Sequence, residues 1–443
     1  MQIMWTKRLG SVWAKPLRGT PGDDPRGSLL FGIFVSLLVV LSFWVVLVEC
    51  EGAFDFAVVA MLAGILYTFA GTLLLMRRDA KVAVALTFCL VAKLAATWVL
   101  TSLFSNDAYT YFWWSSRLTP FGLHAGDLLA HWWGSAFVID LVVGLFRVAG
   151  VSFPLFAVAF GLLSYWAQYL YYRVFVTAFP AGHSGRRALV LFLFPSVIFW
   201  SSSGKDALMM MSIALISYGF VCSYRASVLN WWPVVAGIAL GVCVRPHVAG
   251  LEVIGVATAC LFGKSANFKA RGKGGRILAG LFVVLLAGAV LFFASRQLKI
   301  EDVDQANQFA EKNFENNSRG GSAFGGHQSV GARLALAPLL MFRPLPFEAH
   351  NAASFAASVE GMLLLGYVFL RRKRIVHLWR FERSQRLVVF AVSFLLVFHI
   401  LYSITQANFG TLVRYRVMAL PLFLMLIVSE PNPATSGIKR TVA

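Results

Sequence analysis

Charge is what this chain has least of. Only 13% of its 443 residues are Asp, Glu, Lys or Arg, against 58% hydrophobic residues and a mean hydropathy of +0.72. A water-soluble domain of this length would have too few polar side chains to cover its surface, so that class is excluded. Acid is scarcer still: 20 Asp and Glu stand against 39 Lys and Arg, a formal net charge of +19. In a soluble chain such an excess points to nucleic acid. Here neither a zinc-ligand spacing nor an RNA-binding signature accompanies it, and Lys and Arg in the cytoplasmic loops of a membrane protein account for it. No nucleic-acid partner is expected. Cysteine is sparse as well. Cys50, Cys89, Cys222, Cys243 and Cys260 sit in or at the ends of apolar runs, which argues against a disulfide framework. A cleaved leader is not expected: roughly the first 28 residues are polar and basic, and no small-residue cleavage pattern separates them from the first apolar run.

What the chain has in quantity is apolar runs. Those long enough to cross a bilayer cover 29–48, 56–76, 82–104, 152–176, 207–222, 231–244, 248–262, 277–294, 352–370, 387–402 and 412–428. A shorter run, 188–200, ends at a Ser-rich turn and pairs with its successor as a helical hairpin. The expectation is an all-α, polytopic integral membrane protein of about 12 transmembrane helices. A cytoplasmic N-terminal segment (1–28) and a cytoplasmic tail (431–443) flank one membrane domain (29–430). The stretch 134–150 is apolar but carries Asp140 and Arg147 seven positions apart, on one helical face, which suits a helix lying in the interface.

Parity tests that assignment. With both termini in the cytoplasm and 134–150 not crossing, every compact basic cluster falls inside: 77–81, 183–187, 224–225, 264–276, 371–386 and the tail. That is the positive-inside pattern. The larger outer loops are then 105–151, 295–351 and 405–416, with short ones at 201–206 and 245–247. The middle of the second large loop, Asn313 to Gly331, is rich in Gly, Asn and Ser and reads as a flexible lid.

The outer face breaks the charge rule that orients the chain, since it carries Arg117, Lys205, Arg245, Arg296, Arg333, Arg343, Arg414 and Arg416. Cations at that depth suit an anionic ligand, above all a lipid phosphate or pyrophosphate, which a guanidinium binds through paired oxygens. The plain alternative is that they anchor helix ends to headgroups. Asp107, at the outer end of an apolar run, is the complementary group, a carboxylate placed to take a proton from an attacking hydroxyl. Tyr109, Tyr111, Trp113 and Trp114 beside it read first as an interfacial aromatic belt and second as a sugar platform. Lys205 is placed to meet a phosphate, whereas Asp206 is expected to cap the helix that follows. His247 and His350 are candidate acid/base groups in no recognisable metal motif, and intramembrane Lys93, Glu252, Glu360 and His399 call for partners.

Three phrases carry a resemblance: 194–206 (FPSVIFWSSSGKD), 244–247 (VRPH) and 408–416 (NFGTLVRYR). They resemble membrane proteins of bacterial surface-polysaccharide clusters, including Wzy-type polymerases. A carboxylate in the first large outer loop followed by an interfacial helix is similar to the glycosyltransferases of the GT-C fold. Asp127, in the same loop though not adjacent, would answer to the second acidic residue those enzymes often carry.

The resemblance implies a bacterial inner-membrane glycosyltransferase or polymerase in exopolysaccharide, capsule or O-antigen synthesis, with its active site facing the periplasm. Its donor would be a saccharide on a polyprenyl phosphate or pyrophosphate. Asp107 would be catalytic, and Lys205, Arg245, His247, Arg343, Arg414 and Arg416 would hold the lipid phosphate. No cofactor is implied, and a divalent metal at the leaving phosphate is compatible with the chemistry. Membrane lipids and other polysaccharide-assembly proteins are the further partners expected. The competing class is a transporter or flippase for the same lipid-linked saccharides. A non-catalytic subunit of an assembly complex is a third.

Overall fold

A computed structural model describes residues 80–103, 134–142, 153–179, 190–202, 204–225, 232–263, 303–317, 330–382 and 385–430, with single helical positions at 281, 285, 288 and 292. The described chain is all-helical, without a strand. Five of its helices are long and apolar enough to cross a membrane, which is consistent with a multi-pass membrane protein. The expected spans at 29–48 and 56–76 lie outside the described residues, as does nearly all of 277–294.

The first helices are α1 (Ala80–Leu103), α2 (Gly134–Val142), α3 (Phe153–Ala178) and the short α4 (Pro195–Trp200). Then come α5 (Gly204–Arg225), α6 (Trp232–Val244) and α7 (Pro246–Phe262). The second half holds α8 (Val303–Asn317), α9 (Val330–Ala335), α10 (Ala352–Leu370), α11 (Arg372–His377), α12 (Arg386–Thr405) and α13 (Phe409–Val428). Only the first half of the expected interfacial helix is described, as α2, which packs against α6. Arg147 lies outside the described residues.

The centre of the bundle is α5 and α13, each with 78% of its apolar window buried, whereas α10 has 22% and lies at the periphery. α5 packs against α3, α6, α7 and α13, while α12 closes the other side against α7 and α13. In lipid there is little hydrophobic drive between helices, so close approach must come from small side chains and interhelical hydrogen bonds. The α5–α6 seam shows both. A Cβ on Gly237 would stand 2.7 Å from the Ser212 carbonyl oxygen, and one on Gly241 would stand 2.6 Å from the Ser212 hydroxyl. That hydroxyl donates to the Gly237 carbonyl at 2.8 Å.

α6 and α7 form a hairpin broken at Arg245, whose backbone is non-helical (φ −146°, ψ 84°), with Pro246 starting the next helix where its missing N–H costs nothing. At 13 and 17 residues each arm is shorter than a typical span. The expected hairpin of 188–200 with α5 needs correction, because α4 packs against α1 and α13 and not along α5. α4 has six residues and ends in the turn Ser201–Ser202, and α5 begins at Gly204, whose φ of +57° suits glycine.

Lys93 holds that turn. Its ammonium donates to the Ser164 hydroxyl (2.6 Å), the Ser201 hydroxyl (2.7 Å) and the Val197 carbonyl (3.1 Å), three acceptors for three protons. This intramembrane lysine thus has its partners, and they are neutral oxygens of α3 and of the end of α4. His399 is paired within its own helix, to the Leu395 carbonyl. Glu252 differs: it is fully buried and neither carboxyl oxygen has a hydrogen-bond partner among the described residues.

The expected lid needs correction at its start. Asn313–Asn317 are the last turns of α8, and Arg333 of α9 holds that helix down. Its guanidinium pairs with Glu311, lies 4.3 Å from the centre of the Phe314 ring and donates to the Ile404 carbonyl at 2.9 Å. A charge-assisted contact to a helix-bound carboxylate orders a segment whose composition alone reads as loose. Residues 318–329 of the expected lid lie outside the described residues. The basic run 371–386 also departs from the expected loop, since α11 and a π-helical turn, Leu378–Glu382, fill most of it.

One close approach is directly testable. A Cβ on Gly361 of α10 would stand 2.1 Å from the Phe342 carbonyl oxygen. Gly361→Ala is expected to push the 341–343 segment off α10 at a cost of about 1–3 kcal/mol, read as a lowered melting temperature of the detergent-solubilised chain.

Candidate functional site

The Asp206 carboxylate lies in the first turn of α5 and is 1% exposed. One oxygen accepts from Arg245 at 2.7 Å and the other from Arg414. Three elements therefore meet on one acid: the start of α5, the break of the α6–α7 hairpin, and the second turn of α13. The capping role expected of Asp206 gives way to this bridge. Coulomb attraction between full charges away from bulk water outweighs one neutral cap.

Among the described residues one carboxylate faces two guanidinium groups here, and each arginine has N–H donors beyond those from which Asp206 accepts. Arg245 is buried; its guanidinium lies 4.6 Å from the centre of the Tyr415 ring and one N–H points at the Met418 sulfur at 3.5 Å. Arg414 is the more accessible, with 21% of its side chain exposed. Lys205, half-buried, precedes Asp206, and His247 stands within electrostatic reach of both Arg245 and Lys205. Four of the expected phosphate ligands, Lys205, Arg245, His247 and Arg414, are thus brought to one place.

Arg416 and Arg343 form a second group beside it. Arg414 and Arg416 are two residues apart on one helix and so point to opposite sides. Arg416 is 2% exposed and turns inward. It meets Glu360 of α10 at 3.1 Å, the Ser196 hydroxyl of α4 at 3.0 Å, and the Met341 and Arg343 carbonyls at 3.2 and 3.3 Å. Ser196 in turn donates to Glu360 at 2.7 Å, so this intramembrane acid has its partners. Arg343 pairs with Glu348 at 2.6 Å, and its guanidinium lies 5.2 Å from the centre of the Phe409 ring. These two arginines hold the 341–350 segment, α4 and α10 against the start of α13. His350 closes the segment, its Nδ1 2.8 Å from the Glu348 carbonyl oxygen.

Asp107, Arg117, Asp127 and the Tyr109–Trp114 aromatics lie outside the described residues. Among the described residues no group of three His, Cys, Asp or Glu side chains is placed to hold a metal ion. What composition and helix ends did not reveal are the acids. Asp206 carries a local explanation as a cap, and its second partner, Arg414, lies 208 positions further on.

No protein-family model, curated protein or solved structure matches the chain.

Proposed function

We propose that the chain is a glycosyltransferase or polymerase of the bacterial inner membrane, acting on its periplasmic face with both termini in the cytoplasm. It moves a sugar or an oligosaccharide repeat unit from a polyprenyl phosphate or pyrophosphate in the assembly of exopolysaccharide, capsule or O-antigen. The observation that carries this is the acid shared between two guanidinium groups, with a lysine and a histidine beside it. Such a site is pre-organised and reaches solvent at Arg414. Charge that develops on a leaving phosphate would be stabilised there without reorganisation. Asp107 supplies the general base to the acceptor hydroxyl. Arg416 and Arg343 position the wall of the site rather than touch the phosphate.

A transporter for the same lipid-linked saccharides has one observation in its favour, the buried carboxyl of Glu252, which has no hydrogen-bond partner among the described residues. Reconstitution with a lipid-linked saccharide separates the two by scoring bond formation against translocation. For the enzyme, Arg414→Ala is expected to lower turnover by about 10²–10³-fold and Asp107→Asn by about 10²–10⁴-fold. Lipid-linked intermediate accumulates and polymer shortens. Unchanged products from normally expressed variants would overturn the assignment.

A further inference from the structure

At the other end of the bundle, the segment after α10 carries a second cationic surface of a different build. From Arg372 to Glu382 the chain is helical. Arg374, Leu378 and Glu382, four apart, form a buried stripe. The Arg374 guanidinium pairs with both oxygens of Glu382 and reaches the Ser429 hydroxyl at 2.8 and 3.1 Å, just past the end of α13. Arg371 donates to the Ile427 carbonyl at 3.1 Å and the Ser429 carbonyl at 2.9 Å, two acceptors at that helix end. Half of this basic run is therefore structural, and it locks the segment in one orientation.

The opposite stripe is what that orientation presents. Arg372, Lys373 and Arg380 are exposed, and between them Trp379 is 58% and Phe381 40% exposed. Arg372 also lies over the Phe369 ring at 4.4 Å. The exposed side of α10 (Leu363, Phe369, Leu370) runs directly into this stripe. Exposed aromatics interleaved with cations, continuous with a lipid-facing helix, have the composition of an interfacial anchor: rings at the acyl–headgroup boundary, cations against phosphate.

We propose that the 372–382 segment is a docking surface for the anionic headgroups of a lipid bilayer. Trp379 and Phe381 seat in the interface, while Arg372, Lys373 and Arg380 bind headgroup phosphates. The inference rests on α10 lying in a bilayer and not on the chemistry at Asp206. A failed transferase assay would leave it standing.

The test uses the full chain in nanodiscs of phosphatidylcholine alone or mixed with phosphatidylglycerol. The emission lost in Trp379→Phe isolates one indole. That emission should be blue-shifted and quenched by lipids brominated high on the tail. Exchange of the 372–382 amides should slow when phosphatidylglycerol is present. Preference for phosphatidylglycerol should fall roughly fivefold for each cation removed in the series Lys373→Gln, Arg380→Gln and Arg372→Gln. These side chains are exposed, so the variants are expected to fold, which the unchanged melting temperature in detergent checks. A Trp379 emission that stays water-like and unquenched would overturn the proposal. So would an undiminished lipid preference in the triple variant.

Discussion

Asp206→Ala is expected to lower the stability of the purified chain by about 3–5 kcal/mol, because it strands the buried Arg245 guanidinium without its counter-charge. Arg414 suffers less, since it reaches solvent. The measurement is thermal unfolding of the solubilised protein. The double variant Asp206→Ala with Arg245→Met separates two explanations. If the cost is the orphaned charge, the second substitution recovers most of it; if Asp206 mainly caps α5, the double variant stays as unstable as the single one. The same variant also probes the ligand. If the proposed function holds, a polyprenyl pyrophosphate that occupies the two guanidinium groups takes over part of the role of the missing acid. At one hundred times its dissociation constant it should restore about 2.7 kcal/mol. Melting at the wild-type temperature would mean the three side chains do not meet.

Arg416→Ala is the second large effect, again about 3–5 kcal/mol. It removes the counter-charge of Glu360 together with donors to Ser196 and to the carbonyls of Met341 and Arg343. Arg416→Lys should rescue little, because a single ammonium at the end of a narrower side chain does not span partners on three elements as a planar fork does. Glu360→Gln with Arg416→Gln would relieve the charge without restoring the reach. It should melt above Arg416→Ala and below the wild type. If Arg416→Lys unfolds like the wild type, Arg416 contributes charge alone and the fork geometry is irrelevant.

The parts of the site that were legible in the sequence are those that announce themselves at helix ends. Arg245 before a proline, Lys205 after a glycine, and Arg414 at the start of an apolar run are cations where lipid tolerates them poorly, and parity puts them on one side. Arg416 stands two positions from Arg414 and looks equivalent in the sequence. The helical period separates them, because half a turn sends one towards Asp206 and the other towards Glu360.

In the sequence a short-range role as a cap explains Asp206 fully, and nothing there marks a partner so far along the chain. The basic run 371–386 reads as a loop in the sequence because its cations mask the buried four-residue period of Arg374, Leu378 and Glu382. That period emerges once Arg374 and Glu382 are seen to neutralise each other two turns apart. Short of a contact map, composition weighs every arginine alike. The difference between a structural and an available one is set by which acid it finds.

α10 and α13 are joined at two levels. Arg416 meets Glu360 near the middle of each helix, and Arg371, just past the end of α10, holds the carbonyls at the end of α13. Two parallel struts pinned twice make a closed frame, and a one-turn slip of about 5.4 Å would have to break both sets of bonds together. Stress that the bilayer applies to the peripheral α10 is therefore passed to the central helix as a unit and does not shear one past the other.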